Sequence, residues 1–133
     1  MTTYEPNTIV EAHYNSGVYI GEVVEDRRNF VLVKVLAVLK HPDQGDLHKP
    51  GQVEGIAFFE RKALAHQELV NVQKRKVHQY SGHIPNYDES LKQSFSQLKE
   101  ALTKEDTLFN KVSLERLNDL EKHYYAKIFA NVK

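Results

Sequence analysis

Two imidazoles and two carboxylates crowd one short stretch, His41-Pro42-Asp43-Gln44-Gly45-Asp46-Leu47-His48. Nitrogen and oxygen donors this close could ligate zinc or another transition metal. Their spacing matches no established ligand signature. The segment from His41 to Gly51 also holds two Pro and two Gly. It therefore reads as a loop whose Asp43 and Asp46 hold backbone N–H groups, with no metal expected on His41, Asp43, Asp46 or His48.

A second concentration of chemistry lies further on. Residues 61–83 carry five basic side chains (Arg61, Lys62, Lys74, Arg75 and Lys76) against the single acid Glu68, with His66, His78 and His83 among them. Such a patch could meet a phosphate backbone, and small barrels do bind nucleic acids. Five charges would give weak, salt-sensitive binding, so the alternative reading is a solvated or partner-facing patch. Enzyme signatures are missing: no Gly-rich loop opens a helix, and neither GxSxG nor HExxH occurs. Asp46 and His48 are close in sequence, but closeness alone builds no pocket. The chain is read as a non-enzyme with no cofactor.

Composition narrows the classes further. The chain has 133 residues, 41% of them hydrophobic, with 7 Tyr, 6 Phe and no Trp. That supplies apolar surface for one packed core. Its 18 basic and 18 acidic residues cancel. The balance holds on both sides of residue 84, with ten of each sign before it and eight of each from it onward. A dedicated DNA or anionic-membrane binder carries a basic excess, so no DNA partner is expected. Neutrality also leaves self-association into a homo-oligomer open. Cysteine is absent, which excludes disulfides, thiolate nucleophiles, cysteine zinc sites and a thioether-linked lipid. Met1-Thr2-Thr3-Tyr4-Glu5-Pro6 has neither a basic nor an apolar signal region. The longest apolar run, Phe30 to Leu39, is broken by Lys34 and falls short of the roughly 20 residues a bilayer span needs. The expectation is a cytoplasmic protein with no direct membrane insertion.

The elements that must position these residues change period along the chain. Thr8 to Tyr14 alternates, with Val10, Ala12 and Tyr14 on one face and Glu11 and His13 on the other. Asn15-Ser16-Gly17 predicts a three-residue turn with Gly17 at positive φ, returning into a strand over Val18 to Glu25. Gly21 in mid-strand predicts a bulge, and Asp26-Arg27-Arg28-Asn29 a second turn. Phe30 to Lys40 is apolar on both faces apart from Lys34, and such a strand needs covering on both. Ile56 to Ala65 and Leu69 to Val72 supply one or two more strands. About five strands in this length suit an SH3-like or an OB-like barrel.

Beyond Ile84-Pro85 the spacing turns helical. Leu91, Phe95, Leu98 and Leu102 share one face, with Asn86 as cap and Glu89 completing a capping-box pattern. A second helix is expected from near Ser113 to the end, with Leu117, Leu120, Tyr124 and Ile128 as its stripe and Leu114 and Tyr125 widening it. The fold class is thus α+β: a barrel over residues 1–84, then a helical hairpin over 85–133 packed with it as one unit. The outer face of Phe30–Lys40 is expected to lie under Leu91, Phe95 and Leu98. Phe58 and Phe59 are expected in the core, and Tyr14 and Tyr19 are expected to be exposed beside the first turn. Aromatic and Arg side chains concentrate binding energy, so Tyr14, Tyr19, Arg61 and Lys62 on the barrel rim, with the polar Asp46 and His48, are the candidate protein-binding residues.

Four blocks carry a family resemblance. Tyr14-Asn15-Ser16-Gly17-Val18-Tyr19-Ile20-Gly21-Glu22, Val33-Lys34-Val35-Leu36-Ala37-Val38-Leu39-Lys40-His41-Pro42, Gly45-Asp46-Leu47-His48 and Phe58-Phe59-Glu60-Arg61-Lys62-Ala63-Leu64 resemble kinase-associated protein B of Bacillus relatives. The resemblance runs from about residue 8 to the C-terminus. It implies an SH3-like barrel followed by helices. It also implies an accessory role: binding a membrane-bound sporulation sensor histidine kinase and promoting its activation, so that phosphate enters the sporulation phosphorelay. The family is often called a kinase-associated lipoprotein. This sequence departs from that name, because without cysteine it has no lipobox for a lipid anchor, so contact with the kinase would be cytoplasmic. The alternative is a small RNA- or ribosome-associated barrel.

Overall fold

The computed structural model describes residues 3–45, 58 and 60–132. Five antiparallel strands form one sheet in the order β4-β3-β2-β1-β5, and helices follow, so the α+β class expected from the sequence is the one observed. The strands are β1 (Ile9–Tyr14), β2 (Gly17–Arg27), β3 (Phe30–Lys40), β4 (Leu69–Gln73) and β5 (Val77–Gln79). No sequence pattern marks β5: it is three residues long with one apolar member, Val77, and it extends the small barrel-like sheet at its β1 edge by pairing with Ala12, Glu11 and Val10.

The first hairpin turns more tightly than the sequence suggests. Asn15 and Ser16 form a two-residue turn, both with positive φ, at 48° and 68°, as strand twist demands. Gly17 is already paired with Tyr14 in the ladder. It is glycine for another reason: a Cβ there would stand 2.6 Å from the hydroxyl of Tyr19.

Bulges then bend β3 (Phe30–Lys40) against β2. The register slips between Val18 and Tyr19, between Ile20 and Gly21, and between Val23 and Glu25, leaving Leu36 and Leu39 of β3 and Val24 of β2 without partners. The middle slip is at Gly21, where a Cβ would collide with Val33 and lie 2.9 Å from the Lys34 carbonyl oxygen. Val31 and Val33 face the barrel interior with Val10, Ala12, Val23, Val72 and Val77. Beyond Val33 the strand serves a second core: Val35 and Val38, with Tyr19 and Ala63, pack against Leu91, Phe95, Leu117, Leu120, Tyr125 and Phe129 of the helices.

The predicted helical cover is therefore real but shorter than expected. Leu91 and Phe95 cover the Val35–Val38 end of β3, whereas Phe30 at the other end remains 42% exposed. The segment predicted as a strand from Ile56 also differs. Of its described part, residues 60–65 belong to no strand.

Helix α1 (Tyr87–Thr103) starts at Asn86, whose side chain accepts from the Glu89 N–H. Helix α2 (Leu108–Leu120) begins five residues before the expected Ser113, because Thr107 caps it through Asn110 N–H. Over Glu121–Tyr125 the helix widens to π geometry before closing as α3 (Ala126–Ala130). A π segment inserts one residue into the helical phase. The stripe Leu117, Leu120, Tyr124 and Ile128, widened by Tyr125, is corrected at one position: Tyr125 and Phe129 are buried and Ile128 packs against the core, but Tyr124 is 51% exposed.

Candidate functional site

His41 ends the run of β3 and is completely buried. Its Nδ1 lies 2.9 Å from the Pro42 carbonyl oxygen and its Nε2 lies 2.9 Å from the Tyr125 hydroxyl. A carbonyl only accepts, so Nδ1 carries the proton and Nε2 is left to accept from the Tyr125 O–H. The same hydroxyl accepts from the Ala63 N–H at 2.9 Å. Burial pushes the imidazole down to about 4, from an ordinary 6.5, so the ring is neutral at physiological pH. Phe95 and Tyr125 meet it edge-on, with centroids at 5.6 and 5.7 Å. Both nitrogens are engaged by protein groups, so His41 is a structural pin and the His41–His48 metal reading loses its first ligand. Among the described residues no three His, Asp or Glu side chains gather around a common point. Asp43 instead sits 3.1 Å from Lys40, and its N–H donates to Ser16.

The irregular segment 60–65 is held by side chains in place of a ladder. Three tyrosine hydroxyls from three elements grip it. Tyr125 accepts from Ala63 N–H, Tyr19 of β2 accepts from Leu64 N–H at 3.2 Å, and Tyr87 of α1 donates to the Leu64 carbonyl at 2.6 Å. Gln44 adds a pair of bonds, accepting from Arg61 N–H at 2.8 Å and donating to the Arg61 carbonyl at 3.0 Å. Backbone groups without a strand partner must be satisfied somehow, and here they are satisfied by the core itself. Burial raises all three phenols, Tyr19 to about 12. They remain protonated donors and acceptors across the physiological range.

This clamp fixes the rim on which the sequence placed its binding residues. A cleft of about 220 Å³ is lined by Tyr14, Tyr19, Arg61 and Lys62, with Asn15, Pro42, Glu60 and Leu64. Four of the six candidates therefore meet at one place; Asp46 and His48, like Phe59, lie outside the described residues. Tyr19 is not the exposed aromatic that was expected. It is only 2% exposed, because it pairs with the buried Ala12 across the ladder and so shares its inward face, and Gly17 leaves room for its ring. Tyr14 is half-buried and Lys62 exposed, with the Lys62 ammonium 4.6 Å from the Tyr124 ring centroid. Arg61 donates from Nε to the Gly45 carbonyl at 3.1 Å. Phe58 packs on Phe109 of α2, with centroids at 5.7 Å.

Sequence reasoning missed His41 and Tyr125 as a pair. Nothing in their spacing joins them, and the π segment that aims Tyr125 inward has no recognised sequence signal. No helix among the described residues is long and apolar enough to cross a membrane.

Comparison with known proteins agrees with this architecture. The family model described as Kinase associated protein B matches residues 14–125. A protein of Bacillus subtilis (strain 168) named Kinase-associated lipoprotein B is 45% identical over 125 residues, which is 94% of this chain and 98% of that one. The X-ray crystal structure of kinase-associated protein B from Bacillus cereus superposes with a TM-score of 0.79 at 40% identity, covering 92% of this chain and 98% of the other.

Proposed function

The chain belongs to the kinase-associated protein B family, and we propose that it is a non-enzymatic accessory protein that binds a sporulation sensor histidine kinase and promotes its activation. The observation that carries this reading is the match along nearly the whole chain to proteins named for association with a kinase. In this reading the protein works in the cytoplasm, reaches the membrane through the kinase and feeds the phosphorelay by raising kinase output. The barrel of residues 1–84 and the helices of 85–133 work as one packed unit, with the barrel rim around Tyr14, Arg61 and Lys62 as the contact surface. Such a partner needs only a differential affinity for two kinase states, and coupling of roughly 1–3 kcal/mol is typical of regulatory binding.

Direct binding tests the reading. Calorimetric titration of the protein into kinase-containing membranes should give saturable heat. Absence of binding would defeat the proposal.

A further inference from the structure

Three open clefts join into one path across the barrel rim. The largest, about 660 Å³, is floored by Tyr4, Phe30 and Val77. Arg75 and His78 line it and also line the next cleft, of about 400 Å³. Tyr14 and Asn15 carry that second cleft into the one at Arg61 and Lys62. The charge along this path is one-sided although the whole protein is neutral. Lys74, Arg75, Lys76, Arg61 and Lys62 line it, and Glu60 is the sole carboxylate among its described lining residues.

Not every cation is available. Lys74 is paired with Asp26 at 2.7 Å, and the Lys74 ammonium, with the Tyr4 N–H, holds the Asp26 carboxyl below its usual range. Lys76 and Arg75 are exposed, and Arg75 is steadied by donating from Nε to Gln73 at 3.0 Å. The floor is apolar and the ring of Tyr4 is fixed by its hydroxyl on the Val77 carbonyl at 2.9 Å.

We propose that this path is a docking groove for an extended acidic peptide of a partner protein, with a bulky apolar side chain seated on Tyr4, Phe30 and Val77 and flanking carboxylates against Arg75 and Lys76. Charge complementarity selects the occupant. A nucleic acid would draw on a long-range positive field, which a protein of zero net charge lacks. A peptide needs only the local cations and one apolar anchor. The inference goes beyond the kinase reading, because it requires no kinase, and peptide binding and kinase stimulation can fail separately.

The test uses a fluorescein-labelled heptapeptide in which glutamates flank one phenylalanine and one leucine. Anisotropy should show saturable binding to the full chain, weakened about tenfold by the paired exposed changes Arg75→Glu and Lys76→Glu. Phe30→Ser should weaken the same peptide and leave unchanged the weak binding of a version with serine in place of both apolar residues. Circular dichroism of each variant reports its fold, so that a loss of binding with intact structure is the supporting result. Equal binding by wild type and both variants would overturn the proposal. So would no binding at millimolar protein, or a decauridylate oligonucleotide that binds more tightly and displaces the peptide.

Discussion

The hydroxyl of Tyr125 lies 2.9 Å from Nε2 of His41, although 84 positions separate the two residues. That bond closes the helices onto the end of β3 and completes the support of the rim segment through Ala63. With the Tyr125 O–H as donor it requires a neutral imidazole, and this makes it sensitive to acid.

The sign of that dependence follows from the direction of the shift. His41 titrates near 4 in the folded protein and near 6.5 when unfolded. Between these values the unfolded chain binds the extra proton, so stability falls as pH falls. The full contribution is present above about 6.5 and is gone below 4, a loss of up to about 3 kcal/mol. Urea unfolding of wild type and His41→Leu at pH 7.5 and 4.5 measures it. Wild type should lose about 2.5 kcal/mol more than the variant, since pH 4.5 still lies above the folded value, and parallel profiles would contradict the assignment.

Tyr125→Phe removes a hydroxyl that serves two buried partners, the Ala63 N–H and His41 Nε2. Leaving both unpaired should cost roughly 2–3 kcal/mol. Tyr19→Phe orphans only the Leu64 N–H and should cost about half as much. Denaturant midpoints of the two variants give the order, and a smaller effect at Tyr125 would refute the relay.

At Gly21 the Val33 side chain and the Lys34 carbonyl occupy the space a Cβ would need. Gly21→Ala would drive a methyl group into Val33 and the Lys34 carbonyl, and overpacking of this kind should cost about 3 kcal/mol. A melting temperature equal to wild type would show that the slip can absorb the methyl.

The π segment makes an unusual deletion harmless. One surplus residue is housed in Glu121–Tyr125, and His123 is exposed. Removing His123 should restore ordinary α geometry while Tyr125 and Phe129 stay inward, at a cost within about 1 kcal/mol. Removing Glu115 instead, from regular helix, rotates every later core residue by about 100° and should abolish cooperative unfolding. Equal damage from the two deletions would contradict this account of the phase shift.

The sequence was legible where local pattern and tertiary environment agree. Alternation marked β1, double apolarity marked β3, Gly21 marked a bulge, and Asn86 marked the start of α1. It was silent where the environment decides. Tyr19 sits beside a turn and carries a polar group, yet its pairing with Ala12 turns it into the core. Tyr124 follows the α stripe that Leu117 and Leu120 begin, yet the π segment substitutes Tyr125. Residues 60–65 fall within the strand predicted from Ile56, although Glu60-Arg61-Lys62-Ala63-Leu64-Ala65 holds no β-branched or aromatic residue, and their backbone partners include tyrosine hydroxyls and Gln44 in place of a neighbouring strand. Of the candidate site, Tyr14, Arg61 and Lys62 do meet at one cleft, since the long return from β3 to β4 brings residues 60–64 beside the first hairpin.

The central claim is that this protein raises the output of a sporulation sensor histidine kinase without chemistry of its own. Autophosphorylation of that kinase in membranes, followed with labelled ATP, tests it most directly. The account predicts a saturable rate increase of roughly 5- to 150-fold, the range that typical coupling energies allow, with no phosphate transferred to this chain. An unchanged rate at saturating protein, or a rate increase accompanied by phosphorylation of this protein, would contradict it.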